Sequence, residues 1–217
     1  NCHAIGSEYN KTKKYSSKYA HFTCLSFHPV KVITSGEGGA ILTNNKKYYH
    51  KLFALRENGI IRNKKKWYDY DVINPSLNFR MNEIQASLVL SQLKKLNFFI
   101  EKRRKIAKFY DLHFKNMSQI VSRFIFKNVV SSFHLYSLLI KFDLLKIDKE
   151  KFIKELFKKY KIKLQIHYKP LFKFSYYKNK KGLKNQLPET LKFLERAVSI
   201  PIYPQLSKKN QIYIVKS

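Results

Sequence analysis

The feature that most constrains this chain is where it spends its glycines. There are only 6 in 217 residues, and three of them, Gly36, Gly38 and Gly39, crowd around Glu37. Such a cluster demands a backbone that turns tightly or lies close against something bound. Two short apolar runs with strand character flank the region, Phe22–Phe27 and Ala40–Thr43. Pro29 stops the first run, since it has no N–H to give a ladder. Between Pro29 and the glycines sits Lys31. The pattern predicts two strands and a fixed turn that holds Lys31 between apolar segments, where its amine is poorly solvated. A lysine so placed suits Schiff-base chemistry. Most lysines in so basic a chain are solvated surface groups, so the surroundings single out Lys31, not the residue type. Glu37, between glycines, is placed to bond backbone amides of the turn.

The chain is long enough to bury a core, as one large domain or two small ones. Hydrophobic residues make up 44%, which excludes a disordered tail. No run reaches the apolar length of a membrane span, and no signal peptide opens the chain. It begins Asn-Cys-His without Met, which reads as a fragment or a processed product. Cys2 and Cys24 are too few for a disulfide framework and lack metal spacing, in keeping with a reduced, cytoplasmic setting. Lys and Arg number 44 against 14 Asp and Glu, a net charge of +30. Charge alone would admit a nucleic-acid binder, with the basic-aromatic loop Arg62–Tyr70 and its Trp67 offering stacking. The lysines are nevertheless dispersed among Asn, Ile, Phe and Tyr, the residues an AT-rich coding bias inflates. They read as solvated faces.

Lys46–Ile60 reads as a helix, with Leu52 and Leu55 on one face and Gly59 as its stop. Asn82 and Gln85 have capping-box spacing. Met81, Ile84 and Leu88, then Leu96, Ile100, Ala107, Tyr110 and Phe114, keep helical spacing and predict one long connecting helix over 81–117. A compact α/β unit follows. Ser131–Phe142 is a strand with His134 and Tyr136 on one face. Asp148 caps a helix carrying Phe152, Leu156 and Tyr160. Ile162–Ile166 is the next strand, and Pro188 opens a helix with Leu191 and Leu194 inside it. The chain has no internal repeat and no Gly-rich dinucleotide motif.

Ser26-Phe-His-Pro-Val-Lys31, followed by Gly36-Glu-Gly-Gly-Ala40 and Thr43-Asn44, resembles the cofactor-lysine segment of the DegT/DnrJ/StrS family of pyridoxal-phosphate sugar aminotransferases. The resemblance runs from Asn1 to about Ser207. It implies that Lys31 forms the Schiff base and that the Ser26 hydroxyl meets the cofactor phosphate. Asn1–Tyr9 resembles the family segment that puts His3 near the cofactor ring, with the pyridinium-pairing Asp just ahead of Asn1. Asn78-Phe79-Arg80-Met81 matches the family's Asn-aromatic-Arg-Met/Leu motif, in which the Asn reaches the partner subunit's cofactor phosphate. Arg80 is then a substrate residue. Just upstream, Asn74-Pro75-Ser76-Leu77 replaces the usual Glu-Leu-Gly-aromatic. His167-Tyr168-Lys169-Pro170 resembles the substrate-side His-Tyr-x-Pro turn, with His167 and Tyr168 as its working residues. Phe174–Lys178 narrows the resemblance to the branch that serves pseudaminic acid synthesis. Ser199-Ile200-Pro201 repeats the family's late Ser-Leu/Ile-Pro turn, and relatives carry one more helix where this chain stops.

The fold so implied is α/β and aspartate aminotransferase-like (a type I PLP-dependent transferase), and incomplete. Residues 1–80 are the back half of the cofactor domain, 81–117 the connecting helix, and 118–217 the small C-terminal α/β domain. The implied activity is amination at C4 of a UDP-linked 4-keto-6-deoxy-hexose. Pyridoxal phosphate is the cofactor, glutamate the donor and a homodimer the assembly, with no metal, membrane or nucleic-acid partner. The chain on its own would be a poor catalyst. Two competing readings stand beside this one. They are an inactive remnant of such an enzyme and a basic nucleic-acid-binding protein, whose signature would be salt-steep affinity.

Overall fold

The computed structural model describes residues 1–13, 18–121, 126–177 and 187–217. It divides into two compact units. The first holds residues 1–98 and 128–131, the second 99–127 and 132–217.

Among the described residues, the first unit contains three two-stranded ladders and the helices α1 (Lys46–Arg56) and α2 (Glu83–Lys94). β1 (Glu8–Tyr9) pairs antiparallel with β7 (Val129–Val130). β2 (Thr23–Ser26) pairs antiparallel with β3 (Gly39–Leu42), Ser26 opposite Gly39. A side chain at Gly39 would put its Cβ 2.7 Å from the Leu25 carbonyl oxygen, so the ladder closes here only on glycine. The predicted strand pair is therefore present, and the segment between its strands carries Lys31.

Helix α1 (Lys46–Arg56) starts where Asn45 accepts hydrogen bonds from the Lys47 and Tyr48 amides. It ends four residues before the expected Ile60. Gly59, at φ +76°, donates its N–H to the Ala54 carbonyl, and the chain turns straight into β4 (Ile60–Arg62). That strand pairs with β5 (Tyr70–Val72), so the basic-aromatic loop is the tip of a hairpin. Trp67 is 85% exposed there.

The single long helix expected over 81–117 is two helices. α2 (Glu83–Lys94) begins with the anticipated capping box between Asn82 and Gln85. It closes at Lys95, whose backbone lies at the shallow margin of the right-handed region (φ −99°, ψ 0°) and whose N–H turns back to the Gln92 and Leu93 carbonyls. α3 (Leu96–Phe114) then restarts. A periodicity of apolar residues runs across such a joint undisturbed, which is why the pattern alone reads as one helix.

The second unit is a three-stranded antiparallel sheet covered by helices. β6 (Ile120–Val121), β8 (Tyr136–Ile140) and β9 (Ala197–Ile200) lie in the order β6-β8-β9. β8 alternates buried and half-buried residues, as a strand with one covered face should. The sequence pattern starts this strand at Ser131. Phe133, at φ +49°, takes the chain out of extended conformation and delays the strand to Tyr136. The strand expected over Ile162–Ile166 reduces to one bridge, in which Gln165 and Ser199 exchange both backbone hydrogen bonds (3.1 and 2.8 Å). Ile162 and Leu164 are still buried and alternate with exposed lysines. This bridge covers the outer edge of β9, and all four β9 residues are buried.

The helices of this unit are α4 (Phe142–Leu145), α5 (Lys149–Tyr160), α6 (Pro188–Arg196) and α7 (Lys208–Lys216). Asp148 caps α5 by accepting from the Lys151 amide. α7 was not anticipated. Ser207 caps it by accepting from Asn210, and Ile214 and Val215 pack on the core. α3 buries Ile100, Arg103, Ile106, Ala107 and Tyr110, a stripe at helical spacing.

Arg103 is a charge in that core. Its Nη1 donates to the Phe133, His134 and Ile202 carbonyls at 3.2, 3.2 and 2.8 Å. Burial draws its pKa down to about 10, so the group is still a cation at neutral pH. The bonds hold the left-handed Phe133 in place, a conformation that costs a non-glycine residue roughly 1–3 kcal/mol.

Candidate active site

Lys31 lies on the segment between β2 and β3, and that segment is clamped at Phe27. The Phe27 N–H donates to the Gly38 carbonyl (2.9 Å), and its carbonyl accepts from the Ser35 N–H (3.0 Å) and the Thr34 hydroxyl (2.9 Å). Thr34 Oγ1 also accepts from the Gly36 N–H, and Ser35 Oγ donates to the Glu37 carbonyl. Phe27, Val32 and Ile33 are buried beneath. Lys31 itself is half-buried, with its N–H bonded to the His28 carbonyl at 3.0 Å. The Glu37 carboxylate, expected on turn amides, lies instead 3.8 Å from His28 Nε2.

Gly38 explains why this loop needs glycine. Its φ is +154°, and a Cβ there would lie 2.5 Å from Ser35 Oγ and 2.7 Å from Met81 Cε. The close approach seats the Asn78–Met81 motif against the lysine loop, so two stretches far apart in sequence meet at one glycine. Ser26 closes β2, half-buried. His3 is half-buried in a turn whose neighbour Cys2 donates through Sγ to the Cys24 carbonyl at 3.5 Å, which brings the N-terminal turn alongside β2.

The Asn78 motif is held by α1. Asn78 bridges Glu57, Phe79 donates to the Arg56 carbonyl, and Asn78 Oδ1 accepts from the Arg80 N–H at 3.1 Å. Glu57, which sequence reasoning missed, organises the arginines. Arg80 Nη1 meets its Oε2 at 2.6 Å and Arg56 Nη2 its Oε1 at 2.7 Å. The Arg80 bond holds the Glu57 carboxyl below the usual carboxylate range; desolvation opposes it, and the Arg56 bond and both positive charges add to it. The adjacent Arg56-Glu57 pair at a helix end was the available signal.

In the second unit the His167-Tyr168 turn begins two residues after Gln165. His167 Nδ1 is 2.9 Å from Ser199 Oγ, and its ring meets that of Tyr168 edge-on at 4.8 Å. Burial pushes the Tyr168 phenol above its ordinary pKa. The chain continues through two short 3-10 turns, Leu171–Lys173 and Ser175–Tyr177; the second lies in the Phe174–Lys178 stretch, of which Lys178 is outside the described residues.

The sequence profile of the DegT/DnrJ/EryC1/StrS aminotransferase family matches residues 1–217. The chain belongs to this family. Among DegT/DnrJ/EryC1/StrS relatives, the UDP-4-amino-4,6-dideoxy-N-acetyl-beta-L-altrosamine transaminase of Campylobacter jejuni (strain 81-176) is 38% identical over 98% of this chain and 54% of its own length. The solved structure of Helicobacter pylori PseC, an aminotransferase of pseudaminic acid biosynthesis, superposes with a TM-score of 0.87 at 34% identity, over 100% of this chain and 56% of that one. The PLP form of sugar aminotransferase Spr1654 from Streptococcus pneumoniae superposes with a TM-score of 0.86 at 30% identity, over 100% and 55%. The chain thus spans about half the length of the relatives it matches. Its fold is that of the aspartate aminotransferase-like, type I PLP-dependent transferases, over that share of their length. Among the described residues no group of His, Cys, Asp and Glu is arranged to hold a metal, and no helix is long and apolar enough to cross a membrane.

The donor set of the first unit fits the cofactor of this DegT/DnrJ/EryC1/StrS fold. Among the described residues, the Lys31 amine and the Ser26 hydroxyl make no hydrogen bond or ion pair with the protein. A primary amine on a fixed loop suits an aldehyde, and a hydroxyl at a strand end suits a phosphate.

Proposed function

We propose that the protein containing this chain transfers an amino group to C4 of a UDP-linked 4-keto-6-deoxy-hexose, with pyridoxal phosphate as cofactor and glutamate as donor. The observation that carries this is Lys31, held half-buried on a loop clamped at Phe27 with its amine uncommitted. The choice of sugar is supported by the names of the 38%-identical transaminase and of the pseudaminic acid aminotransferase.

In this reading Lys31 holds the cofactor, Ser26 and His3 contact it, and Asn78 contacts the phosphate of the partner subunit's cofactor. When bound, pyridoxal phosphate supplies the electron sink for carbanion stabilisation. The chain's part is to bind, orient and move protons. The Lys31 amine, once free, is the base and acid that shuttles the proton at the substrate carbon. Arg80, steered by Glu57, presents a guanidinium to the anionic substrate, and His167 and Tyr168 line the sugar side. The protein works as a homodimer with shared sites. Two free thiols, Cys2 and Cys24, suit a reducing cytoplasm.

The test is borohydride treatment of the cofactor-loaded protein followed by peptide mapping. The cofactor should be fixed to one peptide, that containing Lys31, and Lys31→Ala should abolish both fixation and turnover. A stoichiometric adduct on another lysine, with Lys31→Ala still active, would falsify the assignment.

A further inference from the structure

Two serines behind His167 in the second unit have no place in the scheme above. Ser137 and Ser199 stand opposite each other in the β8–β9 ladder, and their hydroxyl oxygens are 3.1 Å apart. Ser199 Oγ is also 2.9 Å from His167 Nδ1. Ser199 is buried at 6% exposure, and its backbone is fixed by both hydrogen bonds to Gln165. The imidazole is thus tied to the sheet at both ends of a three-residue stretch, through the backbone of Gln165 and through its own ring.

We propose that Ser199, backed by Ser137, is the positioning residue that sets which nitrogen of His167 carries the proton. The proposal rests on the reading of His167 as a substrate-side residue. The Ser199 hydroxyl has one hydrogen and two neighbours that accept it, Nδ1 and Ser137 Oγ. An imidazole nitrogen, with a reference pKa of about 6.5, is a far better acceptor than a neutral hydroxyl oxygen. In the neutral ring Ser137 therefore donates to Ser199 and Ser199 donates to Nδ1. The proton of His167 is placed on Nε2, which becomes a donor. When the ring takes a second proton, Nδ1 becomes a donor as well. Both hydroxyls then rotate, Ser199 accepting from Nδ1 and donating to Ser137. Every bond of the chain is kept in both charge states, because a hydroxyl serves either way. A carboxylate, which can only accept, would fix the opposite tautomer with the proton on Nδ1; the serine pair fixes Nε2–H and adds no charge.

The experiment is long-range 15N–1H NMR of the histidine side chains of the 217-residue chain, with His167 assigned through His167→Gln. The neutral ring is expected as a single Nε2–H tautomer. Ser199→Ala should turn this into a mixture with a measurable Nδ1–H fraction, and Ser199→Thr, which keeps the hydroxyl, should retain the parent pattern. An unchanged tautomer in Ser199→Ala, or an Nδ1–H ring in the parent, overturns the proposal. If Ser199→Ala loses the folded spectrum, Ser199→Cys makes the same test, since a thiol is a weak donor. A UDP titration separates this from the reading beneath it. His167 nitrogens that respond to UDP support the substrate-side placement, and nitrogens that ignore it overturn that placement while the tautomer result still judges the serines.

Discussion

Glu57 and Arg103 carry opposite charges and solve opposite problems. Glu57 is half-buried and gathers two guanidiniums. Its folded-state pKa is depressed, so the stability it lends is present above the unfolded carboxylate value of about 4.3 and is lost as pH falls through the lower folded value. Protection of the Phe79 amide, which bonds Arg56 next door, should therefore decline in acid below the ordinary carboxylate range. Glu57→Gln should lower it at neutral pH, as hydrogen exchange would read. Arg103 has carbonyls for partners instead of a carboxylate, and removing it strands three of them. Arg103→Ala should cost roughly 2–4 kcal/mol, measured by urea unfolding. Tyr110→Phe, which leaves the Pro201 carbonyl without its 2.9 Å donor, should cost about 1–2 kcal/mol.

Elements were legible in the sequence wherever their determinants are local. The Asn82–Gln85 capping box, the Asp148 cap and the glycine-gated β2–β3 pair all formed as read. What was not legible depends on partners far along the chain. Lys95 breaks a helix without breaking its apolar period. Phe133 leaves extended conformation beside an arginine 30 residues away. Of the site, Lys31 stood out because glycines and proline marked its loop. Ser199 did not, since the histidine it bonds is 32 residues distant. Gly59 offers a test at this scale. A methyl there would overlap the Asn74 carbonyl at a positive φ. Gly59→Ala should cost well over about 1 kcal/mol and loosen the β4–β5 hairpin, visible as lost amide protection at Ile60.

At the scale of the molecule, α2 stands out for what it leaves in solvent: Ile84, Leu88, Leu90 and Leu93 are exposed on it at 80%, 41%, 60% and 49%. So much open apolar surface suits a protein–protein interface, in keeping with the homodimer proposed above. Mixing Lys31→Ala and Asn78→Ala subunits should restore part of the activity, since one composite site per dimer would be whole. No recovery above either parent would argue against sharing. Sedimentation should show self-association that Ile84→Glu weakens. The bonds from Arg103 to Ile202 and from Tyr110 to Pro201 span 99 and 91 residues of sequence. Closing loops of that length costs chain entropy, and we expect this clip to set after the folding barrier is crossed. Arg103→Met should quicken unfolding while leaving refolding almost unchanged, so that the chief service of this buried cation is to lengthen the lifetime of the folded state.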